Sequence, residues 1–503
     1  MAPPRLSSST LGALHPGVAI PRYDRAALTH GIVHIGVGNF HRAHQALALD
    51  RLMNAGVAYD WAICGVAVLP SDESLAHRMQ AQDCLYTLVE KSADGTWSPR
   101  VIGSITEVIF NDPKRAIAKM AEPNVRIVSL TVTEGGYNFD RVTGEFMPDT
   151  PAIAEDLAGT DLPRTFFGIV IEALRRRRKA GFPPFTIMSC DNIQGNGHVA
   201  QRMFEAFARA QDPEFAAWLA TNVAFPNSMV DRITPVTMPE DIAAVQDLIG
   251  VIDECPVVCE PFFQWALEDH FPQGRPPLED AGAQLVDDVA PYEKMKLRLL
   301  NGSHQGLAYF AHLMGYRYVH DATRDPDMAV FLRRYMDEEA TPTLDPVPGV
   351  DLDAYKSQLI ERFQNPEVRD TVSRLCAESS DRIPKWLIPV VLDQLRNDGS
   401  VELSAAIVAS WARYAEGTDE QGQPITVVDP LKDELVPIAQ RQRADETAFI
   451  ANRRLFGDLV DDPRFTEPYA ATLNSLHARG AERTLHTLIH SGTVANPEGM
   501  EPA

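Results

Sequence analysis

The stretch Gly31-Ile32-Val33-His34-Ile35-Gly36-Val37-Gly38-Asn39-Phe40-His41-Arg42-Ala43-His44 decides the fold. A short Val/Ile run reaches Gly-x-Gly and passes at once into helical sequence, which reads as a buried strand, a tight turn and a helix. In the Gly-x-Gly-x-x-Gly dinucleotide fingerprint the first glycine permits the turn and the second lets a pyrophosphate approach the backbone. Gly36 and Gly38 occupy those positions, and His41 stands where the third glycine would be. Ile35, Gly36, Val37, Gly38, Phe40 and His41 form the expected cofactor-binding set.

Outward from this turn the same alternation continues. Apolar runs at 31–37, 61–68, 125–132 and 185–190 read as buried parallel strands, with helical sequence between them at 40–55 and 165–180. Segments 86–91 and 101–110 read as an added strand pair joined by a turn at Asp94-Gly95. From about residue 286 the periodicity becomes helical, as in 353–364, 386–397, 404–415 and 469–490. The expected fold is α/β: a Rossmann-like doubly wound sheet domain over 1–285, then a mostly α-helical C-terminal domain over 286–503.

The acid that would hold an adenosine ribose should follow the second strand, and Asp72 stands there. Its other role would be to cap the helix that begins there. No Lys or Arg lies in 69–75 to pair a 2′-phosphate, so NAD is favoured over NADP. His41 and His44 have metal-pair spacing but no third ligand is suggested nearby, and no metal is expected. Cys255 and Cys259 likewise lack a completing pair.

A formal net charge of −23 over 503 residues argues against nucleic acid or an anionic membrane as partner, because both select basic surfaces. Arg175–Arg178 and Lys179 are expected to be a solvated helix end. There is no apolar run of transmembrane length, no signal-peptide pattern, and six scattered cysteines, so a reduced, cytoplasmic protein is expected, as a monomer or small homo-oligomer.

A second stretch, Tyr292-Glu293-Lys294-Met295-Lys296-Leu297-Arg298-Leu299-Leu300-Asn301-Gly302-Ser303-His304, carries chemistry. At roughly 100° per residue, with Lys296 at zero, Glu293 falls near 60°, His304 near 80° and Asn301 near 140°. Apolar residues mixed with Lys, Asn, His and Glu suit the wall of a substrate pocket better than a plain core, since a buried unpaired polar group costs ~1–3 kcal/mol. Asn301-Gly302 could also stop one helix before another capped by Ser303.

These motifs, with Thr131-Val132-Thr133-Glu134-Gly135-Gly136-Tyr137, Ser189-Cys190-Asp191-Asn192 and Phe225-Pro226-Asn227-Ser228-Met229-Val230-Asp231-Arg232-Ile233-Thr234-Pro235, resemble the polyol-specific long-chain dehydrogenase/reductase family. Its members include mannitol 2-dehydrogenases, arabinitol 4-dehydrogenases and fructuronate and tagaturonate reductases. The resemblance spans most of the chain and implies metal-independent hydride transfer between NAD(P) and a secondary alcohol. It makes Lys296 the general base, has Asn192 and Asn301 hold the reacting oxygen, and has Glu293 assist proton exit. His304, Asp231 and Arg374 would position the polyol, and Thr133 joins the cofactor-binding set. Where mannitol dehydrogenases carry a further substrate-binding lysine this chain has Arg382, with Lys385 three residues on; the charge is kept and the geometry changed.

The chemistry is coherent. Alcohol oxidation needs a hydride acceptor, a base and donors for the developing alkoxide. A lysine must be brought well below ~10.4 to act as that base, and burial and neighbouring cations such as Lys294 and Arg298 both push that way. The expected reaction is NAD-dependent oxidation of D-mannitol at C2 to D-fructose. Arabinitol is the next substrate, and a ketouronate, whose carboxylate Arg382 could pair, the third. Three rivals have tests: Tyr292-x-x-x-Lys296 with tyrosine as base, a zinc-dependent polyol dehydrogenase, and a non-catalytic NAD(H)-sensing module.

Overall fold

The computed structural model describes residues 3–140, 143–159 and 162–490. The chain divides into two compact units, Met1–Ala290 and Pro291–Ala503. The expected helical domain runs to 503, and its last thirteen residues, 491–503, lie outside the described part.

Among the described residues the first unit carries eleven strands: β1 (His30–Ile35), β2 (Ala62–Ala67), β3 (Tyr86–Lys91), β4 (Trp97–Ile102), β5 (Ile105–Phe110), β6 (Ile127–Leu130), β7 (Thr186–Ser189), β8 (Ser228–Asp231), β9 (Val257–Cys259), β10 (Gln264–Glu268) and β11 (Gln284–Val286). Five of them form a parallel sheet in the order β5-β2-β1-β6-β7. Alternate side chains feed two cores. Ile32, Ile63, Ile105 and Ile127 pack with the Gln45–Asn54 helix. Val33, Ile35, Val66, Val128 and Ile187 pack with the helices Phe166–Ala180 and Asn196–Gln211. Burial on both faces is why these strands read as continuous apolar runs. The chain winds one way from β1 to β2 and the other way through β6, so the strand order reverses at β1/β6. In open α/β sheets a ligand crevice forms at that reversal.

Several local expectations change. The run 101–110 is not one strand: it breaks at Gly103-Ser104, so that β4 pairs antiparallel with β3 while β5 joins the parallel sheet beside β2. At the break Gly103 N–H donates to Asp50 and Ser104 Oγ to the carbonyl of Ala46, which holds the chain as it changes sheets. The helix expected over 40–55 is two, Asn39–Ala43 and Gln45–Asn54, divided at His44 (φ −120°, ψ −87°). Within the basic run, Arg175, Arg176 and Arg178 pair with surface acids, but Arg177 is buried and donates to the carbonyls of Met120, Glu122 and Pro183.

The second unit is built from helices. Its backbone element for function is a continuous winding over Ala290–Met295, Lys296–Asn301 and Gly302–Leu313. No described helix is long and apolar enough to cross a membrane.

Candidate active site

The turn after β1 is fixed by backbone geometry. Gly36 has φ +99°, and a Cβ there would lie 2.1 Å from the Thr131 carbonyl oxygen. No other residue fits this conformation and approach. Thr131 Oγ1 donates to the Gly36 carbonyl at 2.6 Å, tying the end of β6 to the turn after β1. Gly38 is different: its backbone is ordinary (φ −81°), and a Cβ would meet nothing nearer than 4.0 Å. No protein atom requires a glycine here. Open space over an exposed backbone at this position is what a dinucleotide pyrophosphate needs, so these residues fit the cofactor.

At the missing third glycine the His41 ring stacks on His34 of β1, centroids 3.3 Å apart and planes 9° from parallel. Burial pushes the imidazole of His34 down to about 3, and burial lowers His41 too. Two flat neutral rings thus fill the contact that glycine would otherwise make close. His44 packs its ring on Phe263, and neither His41 nor His44 belongs to a three-donor cluster among the described residues. Ile35 and Val37 are buried, and Phe40 stacks on His44. Asp72, beyond β2, precedes the Glu73–Ala81 helix but makes no side-chain capping bond to it; one carboxylate oxygen instead reaches back to accept the Leu69 N–H at 3.2 Å, closing the short turn Pro70–Asp72.

Thr133 stands at φ +65°, a costly conformation for a β-branched residue. What holds it there is Asp191, whose place in the Ser189–Asn192 motif does not reveal this role. One carboxylate oxygen of Asp191 accepts the Thr133 N–H at 2.7 Å; the other accepts the Val132 N–H and the Tyr137 hydroxyl at 2.8 Å. Burial pushes Asp191 up to about 6, while these donors pull it down. Asn192 follows, exposed at the C-terminal end of β7. Asn196 is the buried start of the Asn196–Gln211 helix, and its amide donates to the carbonyls of Asp191 and Ser228. That amide connects the Asn192 bend to β8, whose last residue is Asp231. Asp231 is buried. Its neighbour Arg232 is buried, pairs with Glu90 and donates to the carbonyls of Ala43 and Glu260.

In the second unit Glu293, Lys296, Asn301 and His304 lie on one winding and all are buried. The helix does not stop at Asn301-Gly302. From Lys296 to Asn301 it loosens into a π-helix and then tightens again, Gly302 keeping helical angles (φ −60°, ψ −43°). A 100° step therefore does not hold across these six residues, and the projected angles of Asn301 and His304 are corrected accordingly. π-turns inside α-helices often mark functional sites. The Asn301 Oδ1 is buried with no hydrogen-bond partner among the described residues, and His304 leans on the Phe363 ring, centroids 4.7 Å apart.

The cations beside Lys296 have partners. Lys294 pairs with Asp345 at 2.9 Å and Arg298 with Asp393 at 2.7 Å. Each of these two cations thus carries its own counter-charge. Tyr292, the rival base, donates its hydroxyl to the Pro348 carbonyl at 2.7 Å, and burial raises its pKa. Arg374 forks onto Asp370 one turn away, with its side chain half exposed. Arg382 Nη1 donates to the carbonyls of Arg374 and Leu375, both at 3.1 Å, and Lys385 pairs with Asp381.

A doubly wound sheet with a dinucleotide turn at its reversal point, joined in one chain to a helical unit bearing buried Lys, Asn and His, defines an oxidoreductase of Rossmann type. Its sequence matches the mannitol dehydrogenase Rossmann domain over residues 30–280 and the mannitol dehydrogenase C-terminal domain over 288–477. The chain belongs to the mannitol dehydrogenase family. It is 43% identical to a mannitol 2-dehydrogenase of Aspergillus fumigatus, over 97% of this chain and 100% of that one. Among solved structures it resembles Pseudomonas fluorescens mannitol 2-dehydrogenase in a ternary complex with NAD and D-mannitol (TM-score 0.86, 42% identity, 96% of this chain and 99% of that one). It also resembles a substrate-free D-sorbitol dehydrogenase (TM-score 0.89, 35% identity, 95% and 100%).

Proposed function

We propose that this enzyme oxidises D-mannitol at C2 to D-fructose with NAD, and that Lys296 is the general base. The observation that carries the reading is the buried winding that bears Lys296, Asn301 and His304, in a chain 42% identical to an enzyme that binds NAD and D-mannitol together.

NAD, when bound at the turn after β1, supplies the acceptor for the hydrogen leaving C2. Gly36 and Gly38 admit the pyrophosphate, and Asp72 accepts from the ribose hydroxyls while repelling a 2′-phosphate. Asp191 keeps the Thr131–Tyr137 segment in its strained form. Lys296, neutral, takes the proton of the C2 hydroxyl at its Nζ; burial disfavours the charged form of an amine and so supports this role. The amides of Asn192 and Asn301 donate to the developing alkoxide, each such donor being worth ~3–4 kcal/mol in a transition state. Glu293 carries the proton onward from Lys296, and His304, Asp231 and Arg374 position the remaining hydroxyls.

A sensing module without catalysis would have no use for a buried lysine and two amides. The cytoplasm is the proposed location, supported by six buried free cysteines. A panel of mannitol, sorbitol, arabinitol and fructuronate with NAD and NADP tests the assignment. Mannitol with NAD should give the highest kcat/KM, and a higher value for any other pair would replace it. Activity retained after exhaustive chelation would exclude the zinc-dependent route.

A further inference from the structure

We propose that Asp327, His486 and His490 form a surface site for a divalent transition-metal ion of the Zn2+ type, which would pin the Ala481–His490 helix to the Pro326–Arg334 helix. None of the three belongs to the catalytic or substrate-binding set above. His486 and His490 are four residues apart on one helix and therefore share a face, the spacing by which a helix offers two imidazoles to one metal. Their rings lie close, centroids 4.3 Å apart.

Asp327 sits in the first turn of the facing helix and meets both rings with different oxygens. His486 Nδ1 is 2.8 Å from Oδ2, and His490 Nε2 is 3.4 Å from Oδ1. One donor atom from each of the three residues lies within 4.8 Å of the other two. In a tetrahedral zinc site with bonds of ~2.0–2.1 Å the ligand atoms stand roughly 3.4 Å apart, so side-chain rotation alone would close the set. Two imidazoles with a carboxylate suit Zn2+, Cu2+ or Ni2+, whereas Mg2+ and Ca2+ take oxygen ligands. Both histidine side chains are more than half exposed, which leaves water to complete the coordination. The cysteines, which would otherwise compete for such ions, are all buried.

The alternative is a hydrogen-bonded His–Asp cluster with no affinity for metal, and direct binding separates the two. The full chain, stripped with chelator and titrated with ZnCl2 in a calorimeter at pH 7.5, should bind one equivalent. Asp327→Asn or His490→Ala should weaken binding at least about tenfold, since even groups that only support a ligand contribute 10–100-fold. Zn2+ should raise the melting temperature of the parent but not of a His486→Ala/His490→Ala double variant, whose mannitol turnover reports that it is folded. Absence of stoichiometric binding, or equal affinity in the double variant, overturns the proposal.

Discussion

The Tyr335 hydroxyl donates a 3.1 Å hydrogen bond to the carbonyl of Arg298, inside the π-helical turn that separates Lys296 from Asn301. A Cβ on Gly302 would stand 2.3 Å from that same hydroxyl. The phenol thus meets a carbonyl in the loosened winding, and the adjoining glycine leaves room for it. The local sequence Lys296–His304 does not impose the π-turn alone; a tyrosine 37 residues beyond Arg298 helps to hold it.

Tyr335→Phe removes the donor and keeps the ring. It should cost about 1 kcal/mol of stability and lower kcat for mannitol oxidation more than it raises KM for NAD, because the turn places catalytic groups and no cofactor contact is proposed for it. Steady-state kinetics with denaturant unfolding check both parts.

Gly302→Ala should destabilise by about 1–3 kcal/mol through overpacking against the phenol. With Tyr335→Phe in the same chain the nearest atom, the hydroxyl, is gone and the next ring atoms lie at 3.1 and 3.2 Å. The double variant should therefore be more stable than the sum of the two single losses predicts, which a double-mutant cycle measures.

Asp191 gives a pH prediction. Its folded-state value of about 6 lies above the ordinary 3.8, so its contribution to stability is fully present below about pH 3.8 and is lost as pH rises through about 6. The stability of the parent relative to Asp191→Asn should fall across that window, by up to ~3 kcal/mol. In the same window protonation removes an acceptor from the Val132–Thr133 backbone. KM for NAD should therefore rise as pH falls through 6 in the parent, and stay flatter in the variant.

Asp72→Ala should narrow the preference for NAD over NADP by at least about tenfold, since it removes both an acceptor for ribose hydroxyls and a like charge facing a 2′-phosphate. The ratio of kcat/KM values for the two cofactors is the readout.

Much of this was legible in the chain. Strands buried on both faces carry dense Val/Ile runs, so β1, β2, β6 and β7 stood out, and Gly36 marked the turn because φ +99° leaves few alternatives. What could not be read depends on distant partners. Asp191 lies 58 residues from the Thr133 it restrains, and no spacing rule links them. Lys294 and Arg298 looked like free cations because Asp345 and Asp393 come from elsewhere in the chain. The break at Gly103-Ser104 was hidden because both halves have strand sequence and only their pairing partners differ.

The central claim is that the Lys296 amine removes the hydroxyl proton, and its most direct test is the rate of mannitol oxidation by Lys296→Ala with and without added small primary amines. The account predicts a loss of about 10²–10⁴-fold, unchanged NADH affinity and partial recovery with methylamine. A Lys296→Ala enzyme that keeps most of its rate while Tyr292→Phe loses it would contradict the account and make the tyrosine the base.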